Sequence, residues 1–99
     1  MLYTIIGRDA PGSLAIRRRV RNAHLERIRL LVEAGRLVLA GPMPAVDSVD
    51  PGDAGFTGSL IVGEFDSLEA ARKWIAADPY VTDGVFDSFE VHPFLKVLP

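Results

Sequence analysis

The amino-acid sequence predicts an α+β domain of the ferredoxin-like type, in which a four-stranded antiparallel sheet carries two helices on one face. Four short apolar runs rich in β-branched and aromatic residues are typical of strands, and two stripes of apolar residues at helical spacing indicate helices. Their order is strand, helix, strand, strand, helix, strand, the βαββαβ pattern. With 99 residues there is room for one domain, which we expect to span residues 1–99.

The first half of the chain supplies a strand, helices and a second strand. The apolar run Leu2 to Gly7 predicts the first strand. Ser13 is a candidate cap of a short helix to about Arg19, and Asn22 is a candidate cap of the main helix. Gly35 is a natural stop after that helix, and residues 36–41 predict the second strand.

The second half begins with a predicted loop over residues 42–56, which is long for a compact domain and therefore a candidate binding loop. Residues 57–65 predict the third strand. Asp66 with Glu69 resembles a capping box, and the helical stripe of Leu68, Ala71, Trp74 and Ile75 follows. Asp78-Pro79-Tyr80 should break that helix, and residues 84–91 predict the fourth strand.

Strands one to three are apolar almost without interruption, whereas a sheet with one solvated face should alternate. No part of the chain is left over to cover the second face. We therefore expect a homodimer in which two sheets pack face to face.

Composition excludes several classes of protein. The net charge of −2 argues against nucleic-acid binding, although residues 1–36 hold eight arginines against three acids. The absence of cysteine excludes disulfides, thiolate metal sites and cysteine nucleophiles. No apolar run is long enough to span a membrane, and residues 1–6 lack the basic start of a signal peptide, so a cytoplasmic location is the default expectation.

His24 and Asp78 are the candidate catalytic residues. The two helices of this topology run antiparallel, so the start of the main helix should face the end of the second helix, where Asp78 lies. An aspartate that accepts a hydrogen bond from one imidazole nitrogen makes the other nitrogen a better base. A packed His24 and a plain turn residue at Asp78 are the structural alternatives. His92 is expected to be structural or on the surface.

Other groups could lie at the same end of the domain and bind a substrate. Arg17 and Arg21 precede His24 on one helix side, and arginine suits carboxylate or phosphate ligands, although a solvated face would also explain them. Further candidates are Ser13, Tyr3 and the backbone at Gly41 and Pro42. Neither a metal-ligand constellation nor a phosphate-binding or dinucleotide motif is visible, so no metal or cofactor is predicted.

Several stretches follow one another across the whole chain: Met1-Leu2-Tyr3, Ser13-Leu14 with Arg17, Val20-Arg21, Ala23-His24-Leu25, Gly41-Pro42-Met43-Pro44-Ala45, Gly55-Phe56-Thr57-Gly58-Ser59 and Asp78-Pro79-Tyr80. In them the sequence resembles the YciI-like (YCII-related) family of small bacterial proteins. The resemblance implies a dimeric α+β barrel, a His–Asp pair at His24 and Asp78, and support from Ser13 and one arginine. Asn22 stands where relatives often have proline before the Ala-His pair.

Three functions remain open. The first is a cofactor-independent enzyme of the isomerase or lyase type, in which His24 moves protons on a small anionic or phenolic compound. In a variant of this function, His24 is the nucleophile that accepts a phosphoryl group. The second is a ligand-binding or regulatory dimer without catalysis, and the third is a structural dimer.

Overall fold

The computed structural model describes residues 1–99 and contains a four-stranded sheet with three helices. The elements are β1 (Leu2–Asp9), α1 (Leu14–Glu33), β2 (Leu37–Pro44), a 3₁₀ turn (Gly52–Ala54), β3 (Phe56–Glu64), α2 (Leu68–Ala76), α3 (Pro79–Thr82) and β4 (Phe86–Phe94). All neighbouring strands are antiparallel, in the order β2-β3-β1-β4. The predicted α+β, ferredoxin-like βαββαβ fold is confirmed; α3 is a short addition between α2 and β4.

The main helix is longer than predicted. The expected break before Asn22 was wrong, since α1 is one helix of 20 residues that begins at Leu14. No proline or glycine lies within it, so nothing ends the helix before Gly35. Ser13 is at the N-cap position, but its side chain makes no capping hydrogen bond. His24 consequently lies in the middle of α1 and not in its first turn.

The second strand is also longer than predicted. It continues through Pro42 to Pro44, so the predicted loop of residues 42–56 shrinks to 45–55. The prolines are tolerated because β2 is an edge strand, where a missing N–H need not cost a hydrogen bond. The cap of α2 is Ser67 and not Asp66, because the Ser67 side chain accepts a hydrogen bond from the Ala70 N–H.

The core lies between the sheet and the helices. In β1 the buried Tyr3 and Ile5 face the helices, and Ile5 is directly opposite Ile61 of β3. Ile61 and Ile75 of α2 are almost fully enclosed. These contacts hold α1 and α2 on the same face of the sheet, which sets the position of the residues at the end of α2.

The other face of the sheet is open in the single chain. Ile6 of β1 is directly opposite Leu60 of β3. Val62 of β3 is paired with Thr4 on one side and with Leu39 of β2 on the other. Leu39 is 49% exposed, and Phe94, opposite Leu2, is 40% exposed. We call this surface the open face; its members are Leu2, Thr4, Ile6, Leu39, Leu60 and Phe94. Its apolar character explains why the strands do not alternate in sequence.

Candidate functional site

His24 and Asp78 lie in contact although 54 positions separate them in sequence. The His24 Nδ1 is 2.7 Å from the Asp78 Oδ1, and both side chains are buried. Asp78 follows α2 and caps α3. Because α2 has 9 residues and α1 has 20, helices of about 14 and 30 Å, the end of α2 reaches only the middle of α1. His24 occupies that middle position.

The Asp78 carboxylate accepts three hydrogen bonds. Oδ1 accepts from the His24 ring and from the Tyr80 backbone N–H at 2.9 Å, and Oδ2 accepts from the Arg27 Nη1 at 2.9 Å. A carboxylate can only accept, so the His24 Nδ1 carries the hydrogen, and in the neutral ring the free lone pair is on Nε2. No protein group forms a hydrogen bond with Nε2. This is the arrangement of an oriented imidazole base.

Tyr80 lies flat against His24. The two ring centroids are 3.9 Å apart and the planes differ by 5°. Burial raises the pKa of Tyr80, while the positive charges of Arg17 and Arg21 lower it and the charge of Asp78 raises it further. The phenol is therefore neutral near pH 7, and it forms part of the cavity wall.

Arg17 is buried and already has protein partners. Its Nε and Nη2 donate to the two carboxylate oxygens of Asp9 at 2.9 and 2.7 Å, and Nη2 also reaches the Ser59 Oγ and the Gly58 carbonyl. Its guanidinium carbon is 4.8 Å from the centre of the Tyr80 ring. The Asp9 carboxylate neutralises this arginine, so its charge is not free to bind a substrate anion.

A cavity of about 240 Å³ lies beside His24. Its walls are partly apolar and partly polar, and they comprise Arg17, Arg21, His24, Leu25, Ile28, Leu37, Ala40, Gly41, Pro42, Ser59, Ile61 and Tyr80. Arg21 is exposed and has no hydrogen-bond or ion-pair partner in the protein. The cavity thus combines one free cation, one unpaired imidazole nitrogen and an apolar wall.

The structure brings together most, but not all, of the residues that the sequence singled out. His24, Arg17, Arg21, Gly41 and Pro42 line the cavity, and Asp78 lies directly behind His24. Two candidates lie elsewhere. Ser13 borders a separate hollow at the start of α1, and Tyr3 is a core residue with its ring 6.4 Å from that of Phe65. No group of three or more His, Asp or Glu residues is placed to hold a metal ion.

Sequence reasoning missed four polar residues of the site: Asp9, Arg27, Ser59 and Tyr80. Arg27 and Tyr80 had a visible signal, since Arg27 follows His24 by three positions on the same helix side and Tyr80 lies two positions after Asp78. The partner of Arg17 had no such signal, because Asp9 is on β1 and only tertiary packing brings it to α1.

Comparison with known proteins shows the family of this chain. A model of the YCII-related domain matches residues 1–95. Protein YciI of Escherichia coli O6:H1 is 59% identical and covers 98% of this chain and 99% of its own length. An uncharacterised Haemophilus influenzae protein is 46% identical over the same shares of the two chains.

A solved structure is also similar. It is the 5-chloro-2-hydroxyhydroquinone dehydrochlorinase of Burkholderia phenoliruptrix AC1100 in complex with 2,5-dihydroxybenzoquinone, with a TM-score of 0.83 and 27% identity over 96% of this chain and 94% of that one. Fold and site define a small α+β protein with a histidine at the wall of a cavity. The chain belongs to the YCII-related family. No helix is long and apolar enough to cross a membrane.

Proposed function

We propose that this protein is a cofactor-independent lyase that eliminates a leaving group from a small phenolic or enol-like anion. His24 is the base, Asp78 orients it, and Arg21 binds the anion. The observation that carries the proposal is the 2.7 Å hydrogen bond between His24 Nδ1 and Asp78, which leaves Nε2 unpaired at the wall of the cavity. A base positioned in this way contributes about 10²–10⁴-fold in rate.

The reaction needs no oxidant or reductant. Nε2 takes a proton from a phenolic oxygen, and the electron pair moves into the ring. The same proton returns to the ring carbon that bears the leaving group. That group departs with its bonding electrons as a second phenolic proton is lost to Nε2 and then to solvent. The sum is loss of one molecule of HX, and the ring becomes a quinone.

The size and charge of the cavity support a substrate of this class. A volume of about 240 Å³ suits a single substituted ring, and Leu25, Ile28 and Ile61 give it an apolar wall. Arg21 is the one wall cation that no acid neutralises. A phosphoryl group on His24 would need more positive charge than the single free cation Arg21 provides. Arg17 cannot supply it, because it is paired with Asp9. Elimination is therefore better supported than phosphoryl transfer.

The similar solved structure supports the same class of chemistry. Its printed name gives a dehydrochlorinase that acts on a chlorinated hydroxyhydroquinone, and its complex holds a dihydroxybenzoquinone. At 27% identity and a TM-score of 0.83, this likeness extends over nearly the whole chain. We transfer from it the reaction class, loss of HX from a hydroxylated ring, and not the particular substrate.

We also propose that two copies pair through the open face. The exposed Leu39 and Phe94 and the half-buried Ile6 and Leu60 form an apolar surface that a second, identical sheet would cover. The cavity lies on the opposite, helix-bearing side of the sheet, so pairing leaves His24 accessible.

The test is halide release from a panel of chlorinated and brominated di- and trihydroxybenzenes, followed with a halide electrode and by quinone absorbance. We expect turnover by the wild type, loss of turnover in His24→Ala, and a kcat lowered by about 10²-fold or more in Asp78→Asn. Arg21→Met should raise KM, because it removes the free cation.

Two matched variants control for charge. Arg19→Met removes an exposed, unpaired arginine from the same helix, and Asp66→Asn removes an exposed aspartate at the other end of α2. Both should behave as the wild type. Full activity in His24→Ala would overturn the assignment of His24 as the base. Halide release from no compound, while a ligand is recovered unaltered, would replace the lyase with a binding protein.

A further inference from the structure

Arg27 joins the two helices behind the proposed base. Its Nη1 donates to the Asp78 Oδ2 at 2.9 Å, and its Nη2 donates to the Trp74 carbonyl in the last turn of α2 at 2.8 Å. Its guanidinium carbon lies 4.5 Å from the centre of the Trp74 ring. Arg27 does not border the cavity, so it does not touch a ligand there. It acts through Asp78.

The charge of Arg27 matters because Asp78 is fully buried. The side chain of Asp78 is 0% exposed and that of Arg27 is 25% exposed. Charges interact strongly at such short distance and low exposure. An unbalanced Asp78 carboxylate would favour the protonated imidazolium of His24. A balanced one orients the ring but leaves it neutral at a lower pH, as a base must be.

Charged and titratable groups face His24 from each neighbouring element. Arg21 and Arg17 lie on the same helix, Asp78 and Tyr80 lie at the start of α3, and Ser59 of the sheet lines the same cavity. Asp9 of β1 cancels Arg17. Arg27 is the cation paired with Asp78, so its removal changes the charge around the His24–Asp78 pair most directly.

We propose that Arg27 is a positioning residue that balances the buried charge of Asp78 and thereby sets how strongly that carboxylate favours the imidazolium form of His24. The proposal rests on the proposed function, in which His24 is the base, and it adds how the protein sets the charge of the base. The two contacts of the guanidinium have separate roles. Its charge acts on Asp78, and the hydrogen bond from Nη2 to the Trp74 carbonyl fixes the distance between α1 and α2.

The experiment is the NMR titration of the His24 ring in the free protein, with His92 as an internal reference in each spectrum. Arg27→Gln keeps a donor for Asp78 but removes the charge. Arg27→Lys keeps the charge but loses the fork. We expect the titration midpoint of the His24–Asp78 pair to rise by about one pH unit in Arg27→Gln and to stay near the wild type in Arg27→Lys. Arg19→Met, an exposed arginine on the same helix, should not move it.

Activity gives an independent readout. The acid limb of the pH–rate profile should move to higher pH in Arg27→Gln by the same amount, whereas Arg27→Lys should lower kcat without moving it. An unchanged midpoint in folded Arg27→Gln overturns the proposal. A raised midpoint in Arg27→Lys also overturns it, because this variant keeps the charge. If Arg27→Gln does not fold, the Arg27→Lys measurement is the test. The titration needs no substrate, so a shifted midpoint in a protein without turnover would reject the lyase and retain the role of Arg27.

Discussion

The single hydrogen bond between His24 and Asp78 shows what reasoning from individual residues can and cannot reach. Antiparallel helices and the proline after Asp78 were enough to predict that the two residues meet. The neutralisation of Arg17 by Asp9 was not predictable, because the chemistry of arginine is the same in a ligand site and in a buried ion pair. Of the two arginines that the sequence favoured, only Arg21 is left with a free charge.

Tyr80 gives a prediction at this scale. Burial raises its pKa above 10.0, so the folded state favours the neutral phenol. Its contribution to stability is present below about pH 10 and is lost as the pH rises through the folded pKa. The free energy of unfolding of the wild type should therefore fall more steeply between about pH 9 and pH 11 than that of Tyr80→Phe.

The second tyrosine permits a clean measurement. The chain has two, so in a Tyr3→Phe background the absorbance of the phenolate reports Tyr80 alone. Titration of Tyr80 at or below the ordinary value for a tyrosine would contradict its burial beside His24.

At the scale of elements, the strand pattern identified β1 to β4 but misplaced several ends. Proline at residues 42 and 44 favours an end of the strand, although an edge strand such as β2 accepts it. Asn22 favours a helix start because asparagine is common at caps. The helix-forming residues on both sides of it nevertheless continue α1 through this position. Local propensity cannot show whether a strand is at an edge.

Two glycines in strands differ in the space around them: Gly7 is tightly packed and Gly41 is not. A Cβ on Gly7 would collide with the Phe86 ring, whereas one on Gly41 would meet nothing within 4 Å. We expect Gly7→Ala to lower the free energy of unfolding by about 1–3 kcal/mol and Gly41→Ala to leave it unchanged or slightly raised. Chemical denaturation of both variants measures this; equal stability would mean that Phe86 can move aside.

At the scale of the whole molecule, the open face makes the assembly testable. Leu39 is exposed in the single chain, so Leu39→Lys should not disturb the core, but it would place a charge between two paired sheets. We expect the wild type to sediment with twice the chain mass of 10.8 kDa, and Leu39→Lys to shift toward the single chain at micromolar concentration.

Circular dichroism checks that the lysine variant is folded. A wild type that sediments as a single chain at all concentrations would contradict the proposed dimer and leave the open face unexplained.

The apolar strands predicted this surface, but the sequence could not tell which side chains face outward, since β2 shifts register between Leu37 and Leu39.

The parallel stack of Tyr80 on His24 also equips the site with its own spectroscopic label. An aromatic ring 3.9 Å above the imidazole shields the protons beneath it, so the His24 carbon-bound ring protons should resonate upfield of those of His92, which lies on β4 away from any such stack. A compound that enters the cavity and tilts either ring changes this ring-current shift at once. One-dimensional proton spectra of the unlabelled protein can therefore screen for ligands before any reaction is known.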